Sequence, residues 1–279
     1  QMVEQHIASG LDLTIAGIRQ PKSLARSFGV IDRDPHDPYK VRQFLEKPHE
    51  VEGLSDSPDE ILASMGNYVF STEALVNALN DDALNENSAH DMGANIVPMF
   101  VESGNCGVYD FTFNDILGAT DRDKTYWRDV GTIDAFHEAN MDLISVNPIF
   151  NLYNRKWPLL TGYTGLPPAK FVYGHHERLG HALDSIVSPG VIISGGEVIG
   201  SVLSPFVRVN SWSSVRDSVL FDGVNVGRNA TVVRAIVDKN VKIDDGAQIG
   251  IDHARDRERG FFVSDTGIVV VPKNTHVTA

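Results

Sequence analysis

The sequence predicts an α/β domain followed by a parallel β-helix, and two observations lead to this fold class. In the first half of the chain, short apolar runs typical of strands alternate with amphipathic runs typical of helices, which is the pattern of α/β domains. In the second half, aliphatic residues occur in groups of three with a spacing of six inside each group. The first residue of each group lies 17 residues after the first residue of the group before it. A period of six that is interrupted once per turn is the signature of hexapeptide repeats in a parallel β-helix.

Composition sets the outer limits of the interpretation. A chain of 279 residues is long enough for two domains. Its net charge of −13 argues against a general affinity for nucleic acid or for acidic membranes. The one cysteine, Cys106, excludes an internal disulfide and fits a reducing compartment, so we expect a cytoplasmic protein. The sequence holds no uninterrupted apolar run long enough to cross a bilayer.

The first half opens with a helix-like run at 2–7 and should then contain five strands and three helices. We expect strands at 11–18, 28–31, 41–45, 65–70 and 108–113, and helices at 71–79, 91–104 and 132–144. The second and third strands flank a turn-rich segment and should therefore form a hairpin. From residue 147 onward prolines interrupt the chain and no period survives. We therefore predict an α/β domain at 1–146, a linker at 147–180 and a β-helix at 181–279.

The repeat gives a register for the β-helix. Each triplet should supply one inward-facing aliphatic residue for each side of a triangular coil, and stacked coils bury a core that no single coil could bury. Twelve positions follow this rule: Ile186, Ile192, Val198, Leu203, Val209, Val215, Leu220, Val226, Val232, Val237, Ile243 and Ile249. A charged run at 252–259 interrupts the pattern, and 268–271 should be a last strand.

The stretch Phe44-Leu45-Glu46-Lys47-Pro48 carries the clearest chemistry. Proline should stop the strand that reaches it, and the residue before a proline favours extended geometry. We therefore expect Glu46 and Lys47 on opposite faces at a strand terminus, where ligands bind in α/β domains. A lysine neutralises a phosphate and a glutamate accepts hydrogen bonds from hydroxyls, which suits a sugar phosphate. The alternative is a surface ion pair that closes a strand.

Other candidate positions allow two interpretations each. Gly29 would let a ligand approach the backbone, or it is an ordinary turn glycine. Asp129 precedes a helix, where it would bind Mg²⁺ or complement the helix dipole. Ser64 and Asp91 lie at expected element boundaries, as ligands or as caps. A metal site at His175, His176 and His181 lacks a carboxylate pattern, and Cys106 is expected in a turn rather than as a nucleophile.

Several motifs occur in the order found in one known family. They are Phe44-Leu45-Glu46-Lys47-Pro48, Ser64-Met65-Gly66, Ser88-Ala89-His90-Asp91, Tyr126-Trp127-Arg128-Asp129-Val130-Gly131-Thr132, Leu166-Pro167-Pro168-Ala169-Lys170-Phe171 and the β-helix repeats. With them the chain resembles bacterial glucose-1-phosphate adenylyltransferases (ADP-glucose pyrophosphorylases) over essentially its whole length. The resemblance implies an α/β nucleotidyltransferase (Rossmann-like) domain, incomplete at its N-terminus, followed by a left-handed parallel β-helix of hexapeptide repeats.

The resemblance also implies an activity and its residues. The family transfers adenylyl from ATP to glucose 1-phosphate, giving ADP-glucose and pyrophosphate for glycogen biosynthesis, and its members are allosteric homotetramers. By resemblance, Lys47 holds the sugar phosphate; Gly29, Glu46, Ser64, Asp91 and Trp127 bind substrate; and Asp129 is one of two Mg²⁺-binding aspartates. Lys239 and Lys273 are the implied contacts of a sugar-phosphate or nucleotide effector. The family's glycine-rich nucleotide loop and its other metal aspartate have no counterpart here, so we expect the chain alone to be inactive.

Three alternatives remain open. One is a non-catalytic regulatory or scaffold member of the same fold, and another is a nucleotidyltransferase for a different sugar or nucleotide. The third is a hexapeptide-repeat acyltransferase, a class that typically uses a histidine between coils as a base. No histidine occurs from residue 186 to 249, which argues against the third.

Overall fold

The computed structural model describes residues 1–160, 165–174 and 178–279, which form two compact units. The first is Gln1–Trp127 and the second is Arg128–Ala279. The first unit contains helices α1 (Met2–Ser9), α2 (Thr72–Ala83) and α3 (Val97–Glu102), and strands β1 (Leu13–Pro21), β2 (Gly29–Arg33), β3 (Val41–Glu46), β4 (Glu60–Phe70) and β5 (Cys106–Asp110). Within the described ranges, no helix has the length and apolar character needed to cross a lipid bilayer.

The first unit is built on one five-stranded sheet with the order β3-β2-β4-β1-β5. Strands β2 and β3 pair antiparallel as the predicted hairpin, and β1 pairs antiparallel with β4 and parallel with β5. The core lies between the sheet and the helices α2 and α3, where Leu13, Ile15 and Leu62 are fully buried. The predicted α/β character is confirmed.

Strand β4 is longer than the sequence indicated. It starts at Glu60 rather than at residue 65, and its pairing with β1 shifts register between Ile15 and Gly17. Ser64 pairs with Gly17 next to this irregularity. The expectation that Ser64 lies at an element boundary was therefore wrong, because a β-bulge, not a strand end, breaks the apolar pattern there.

The second unit is a stack of short parallel strands in three sheets. It also contains α4 (Ile133–Leu143) and α5 (His253–Glu258). One sheet is formed by β6 (Lys170–Val172), β9 (Ile192–Ser194), β12 (Arg208–Val209), β15 (Asn225–Val226), β18 (Lys242–Ile243) and β22 (His276–Val277). A second is formed by β7 (His181–Leu183), β10 (Glu197–Ile199), β13 (Ser214–Arg216), β16 (Thr231–Val233) and β19 (Gln248–Ile249). The third is formed by β8 (Ile186–Val187), β11 (Val202–Leu203), β14 (Val219–Leu220), β17 (Ala235–Val237), β21 (Val269–Val271) and the antiparallel β20 (Phe262–Val263).

The predicted register of this β-helix is correct after its first coil. From Val198 to Ile249, every position predicted to face inward is buried in the aliphatic core. In the first coil, Val187 and Ile193 stack on Leu203 and Val209, so the predicted Ile186 and Ile192 were off by one. The cause is a repeat one residue shorter than 17 at these two sides.

The stack also extends beyond the predicted limits. Strand β6 pairs in parallel with β9 and lies inside the segment 147–180 that we expected to be a linker. At the other end, β21 confirms the predicted last strand, and β22 adds one more that we did not predict. Helix α5 accounts for the charged interruption at 252–259.

Helix α4 packs on the β-helix. Its apolar residues Ile133, Phe136 and Met141 contact Val219, Ile236 and Ile268. The Nε2 atom of His137 lies 2.7 Å from the carbonyl oxygen of Asp217, and Ser264 donates a hydrogen bond of 2.7 Å to Asp134. This helix therefore belongs to the second compact unit, although it lies within the predicted first domain, 1–146. The functional boundaries at 146 and 180 stay predictions.

Candidate functional site

Glu46 is the last residue of β3, and its carboxylate lies between two glycines. Gly29 pairs with Glu46 in the hairpin register, and a Cβ at Gly29 would lie 3.0 Å from Glu46 Oε2. A Cβ at Gly93 would lie only 2.7 Å from the same oxygen. The missing side chain of Gly93 leaves room for the carboxylate, whereas the space beside Gly29 is taken mainly by the ring of Phe44, whose Cζ would lie 2.3 Å from a Cβ there. The sequence analysis did not single out Gly93. The one feature that could have indicated it is its position two residues after the candidate Asp91.

Lys47 does not adopt the backbone that its place before Pro48 predicts. Its φ of 46° lies in the left-handed region instead of the expected extended region, a conformation that costs a non-glycine residue about 1–3 kcal/mol. The Lys47 N–H still donates to the carbonyl of Phe28 at 3.1 Å. The chain therefore leaves the β2–β3 hairpin only after this last hydrogen bond between the two strands. The expected placement on opposite faces was therefore wrong, since Lys47 Nζ lies 3.6 Å from Glu46 Oε1.

Ser64 faces a tyrosine that belongs to the same region. Its hydroxyl is buried, lies 3.5 Å from the hydroxyl of Tyr68 and accepts the N–H of Gly66 at 3.3 Å. Burial raises the pKa of Tyr68, and the nearby carboxylates of Glu46 and Asp91 add to the rise. Tyr68 therefore lies in the electrostatic field of both carboxylates, a position that the sequence did not reveal.

Asp91 caps a helical segment, as one of its two interpretations predicted. It precedes a π-helical turn, Met92–Ile96, that continues into α3, and its Oδ1 accepts the N–H of Ala94 at 2.7 Å. Its own N–H donates to Asn95 Oδ1 at 3.1 Å. The cap fixes Asp91 two residues from Gly93, which touches Glu46. We refer to Gly29, Glu46, Lys47, Ser64, Asp91 and Gly93 together as the Glu46 site.

Trp127 lies next to the start of β2. Its ring meets that of Phe28 edge to face, with 5.5 Å between the centroids, and Phe28 directly precedes Gly29. The structure therefore brings Trp127 to the same strand end as the Glu46 site.

Asp129 belongs to the second unit and is exposed. Its Oδ1 accepts the N–H of Gly131 at 3.3 Å, while Thr132 is the N-cap of α4 and accepts the N–H of Ala135 at 3.1 Å. Asp129 is thus not the cap of that helix. Within the described ranges, no group of three or more His, Cys, Asp or Glu side chains is arranged to hold a metal. A single exposed carboxylate still fits Mg²⁺, which usually takes one or two carboxylates together with substrate phosphates.

Comparison with known proteins agrees with these features. Residues 1–146 match the family described as nucleotidyl transferase, and residues 167–271 match the one described as GlmU-like, C-terminal hexapeptide. The chain is 57% identical over 277 residues to a glucose-1-phosphate adenylyltransferase of Bifidobacterium adolescentis, covering 99% of this chain and 67% of that protein. The chain belongs to the glucose-1-phosphate adenylyltransferase family. An Arthrobacter relative of the same name is 57% identical, with 99% and 60% covered, and a Frankia casuarinae relative 56%, with 99% and 67% covered.

The chain therefore spans about two thirds or less of the length of these adenylyltransferase relatives. Among the alternatives, the hexapeptide match covers only the second part of the chain, while the nucleotidyl transferase match covers the part that carries the Glu46 site. The acyltransferase interpretation accounts for none of the residues of that site.

Two other features do not belong to the Glu46 site. Cys106 lies in β5 rather than in a turn, and burial raises the pKa of its thiol to about 12, so it is no nucleophile. A cavity of about 950 Å³ opens beside Arg19, Arg33 and Arg42 and includes none of the predicted site residues. The Glu46 site is an open strand end. The candidate metal residues His175 and His176 lie outside the described residues.

Lys239 and Lys273 lie on neighbouring coils of the β-helix. Both are exposed, and the N–H of Asn274, next to Lys273, donates to the carbonyl of Lys239 at 2.9 Å. The structure therefore brings the two predicted effector residues to one corner of the stack.

Gly93→Ala tests the fit of Glu46 without removing a polar group. The new Cβ would lie 2.7 Å from Glu46 Oε2, and the carboxylate must move because it is the flexible partner. We expect the apparent affinity for glucose 1-phosphate to fall about tenfold, while the free energy of unfolding changes by less than about 1 kcal/mol. Steady-state kinetics and thermal unfolding measure the two effects. Unchanged kinetics would show that the sugar does not depend on the position of Glu46.

Proposed function

We propose that this protein transfers adenylyl from ATP to glucose 1-phosphate, giving ADP-glucose and pyrophosphate for glycogen biosynthesis. The observation that carries the proposal is the Glu46 site, in which an exposed ammonium and a carboxylate meet at the end of β3, in a chain of the adenylyltransferase family. Carboxylate and hydroxyl groups suit the hydroxyls of a sugar, and the ammonium suits its phosphate.

The reaction requires the two substrates to be positioned, but it does not require a general base. The phosphate of glucose 1-phosphate is already an anionic nucleophile, so catalysis consists of alignment and charge neutralisation at the α-phosphorus of ATP. Lys47 would hold the sugar phosphate as a point charge. Glu46, Ser64 and Asp91 would accept hydrogen bonds from the sugar hydroxyls, and Gly29 would contribute its backbone beside Glu46.

Mg²⁺ is the proposed cofactor, held through Asp129 together with substrate oxygens. When bound, it neutralises charge on the transferring phosphates. We also propose a homotetramer, with an anionic effector bound at the coil corner that carries Lys239 and Lys273. Two ammonium groups on adjacent coils would attract a sugar phosphate or a nucleotide.

Turnover by the complete gene product tests this function. Purified protein would be mixed with ATP, glucose 1-phosphate and Mg²⁺, and pyrophosphate release would be followed. We expect turnover with ATP to exceed that with UTP, CTP and dTTP, and glucose 1-phosphate to exceed galactose 1-phosphate. A clear preference for another pair would favour a nucleotidyltransferase of different specificity. Absence of turnover with every pair would favour the non-catalytic member of the fold.

Asp129→Asn should lower the turnover number about a hundredfold or more and raise the Mg²⁺ concentration needed for half-maximal rate, because the amide is a weaker ligand for a hard cation. Thermal unfolding should stay near that of the unmodified protein, since Asp129 is exposed. Asp121→Asn, at another exposed aspartate, is the control. If Asp129→Asn changed only the melting temperature, Asp129 would be a structural residue.

A further inference from the structure

A buried carboxylate holds the segment that leads into the Glu46 site. Asp82 lies in the last turn of α2 and is buried. Its Oδ1 accepts the hydroxyl of Ser88 at 2.5 Å, and its Oδ2 lies 2.7 Å from Nδ1 of His90. We call Asp82, Ser88 and His90 the Asp82 clamp.

The hydrogen-bonding capacity of the Asp82 carboxylate is used by the loop that follows α2. Burying a carboxylate is costly unless hydrogen bonds compensate it, and here both oxygens are used by residues six and eight positions along the chain. These bonds lower the pKa of Asp82, with Ser88 contributing most. Ser88 in turn accepts the N–H of His90 at 3.0 Å. The loop is thus tied to α2 at two points.

The same contacts hold His90 in an uncommon backbone conformation. Its φ is 56°, in the left-handed region that few non-glycine residues occupy. Such conformations persist only where the surroundings determine them, and they concentrate at functional sites. The clamp supplies that determination at the residue directly before Asp91.

Asp91 connects the fixed backbone of His90 to the Glu46 site. Three consecutive amides, those of Ala94, Asn95 and Ile96, donate to Asp91, to Oδ1 in the first case and to the carbonyl in the other two, at 2.7, 2.9 and 3.3 Å. This turn places Gly93 against the Glu46 carboxylate. A displaced Asp91 would therefore move both a proposed sugar ligand and the wall behind Glu46.

We propose that Asp82 is a positioning residue for the sugar phosphate, acting through Ser88 and His90 to set Asp91 and Gly93. The inference rests on the proposed function for the identity of the ligand, and on the contacts above for the mechanical link. A purely structural role for Asp82 would lower stability without distinguishing between the two substrates.

The experiment compares Asp82→Ala, His90→Ala, the double variant that carries both alanine substitutions, and Asp82→Asn in the complete gene product. The alanine variants remove the clamp, whereas asparagine can still accept from Ser88 and donate to His90. The matched control is Asp81→Ala, because Asp81 is the exposed neighbour on the same helix. KM for glucose 1-phosphate, KM for ATP and amide hydrogen exchange at Ala94, Asn95 and Ile96 would be measured for each.

We expect Asp82→Ala and His90→Ala to raise KM for glucose 1-phosphate about tenfold while KM for ATP stays within about twofold, and to speed exchange at the three amides. The double alanine variant should be no worse than either single one, and Asp82→Asn should recover most of the affinity. Asp81→Ala should change nothing.

Equal changes in both KM values, or a loss of stability with an unchanged KM for glucose 1-phosphate, would overturn the proposal. If the unmodified protein did not turn over these substrates, the proposed function would fall instead. In that case, faster exchange at Ala94, Asn95 and Ile96 in Asp82→Ala would still support the link from Asp82 to Asp91 and Gly93. Unchanged exchange at these amides would overturn that link too.

Discussion

Val226→Asp should unfold the β-helix. Val226 is 0% exposed and lies on the second side of the stack between Val209 and Ile243, which it pairs with in parallel. A carboxylate buried there has no partner, so it costs several kcal/mol or must be protonated. Since a domain is stable by only about 5–15 kcal/mol and each coil is supported by its neighbours, the damage should spread along the stack. Circular dichroism during thermal unfolding and the oligomer mass in light scattering measure the effect.

Arg228→Asp is the matched control, two residues further along the same coil. Arg228 is exposed, and its N–H donates to Asp245 Oδ1 at 2.7 Å through the backbone, so the substitution keeps that bond. The new carboxylate would lie near Asp245, and we expect a loss below about 1 kcal/mol. If Arg228→Asp were damaging and Val226→Asp harmless, the register of the β-helix would be wrong.

Lys47→Ala should raise KM for glucose 1-phosphate roughly ten- to a hundredfold and leave KM for ATP nearly unchanged. The lost contact is charge-assisted and should be worth about 1.5–3 kcal/mol. The backbone strain at φ 46° is the same for lysine and alanine, because both carry a Cβ. The change therefore isolates the ammonium group, and initial-rate kinetics with each substrate varied in turn measures it.

Two further variants serve as a control and as a test of the backbone strain at Lys47. Lys22→Ala removes another exposed lysine of the same unit and should leave both KM values unchanged. Lys47→Gly also removes the ammonium but relieves the left-handed strain, so it should raise the free energy of unfolding while losing the same affinity. Equal effects of Lys47→Ala on both substrates would sink the assignment of Lys47 to the sugar phosphate.

The sequence was most informative where a period repeats. Val226 and its equivalents were placed correctly because a spacing of six survives through the later coils. Ile192 was misplaced because a repeat shortened by one residue leaves no trace in a series of aliphatic letters, as Ile192 and Ile193 are both isoleucine. Only the pairing of Ile193 with Val209 resolves the choice.

Local rules failed where tertiary contacts outweigh them. Proline at position 48 favours an extended Lys47, yet a last ladder hydrogen bond and the ion pair with Glu46 accompany a left-handed turn. The amphipathic pattern of α4 predicted a helix but could not say which surface would cover it. Gly93 and Asp82 carried no motif of their own, and their roles emerge only from distances to Glu46 and His90.

The binding of glucose 1-phosphate at the Glu46 site is the central claim, and glycine amides report on it most directly. The chain would be labelled with ¹⁵N-glycine and titrated with glucose 1-phosphate, with inorganic phosphate as the control, while amide chemical shifts are followed by NMR. We expect Gly29 and Gly93 to shift in the unmodified protein and not in Lys47→Ala, with Gly246 and Gly250 of the β-helix, away from the corner of Lys239 and Lys273, unaffected. Shifts confined to the β-helix glycines, or none at Gly29 and Gly93, would contradict the assignment.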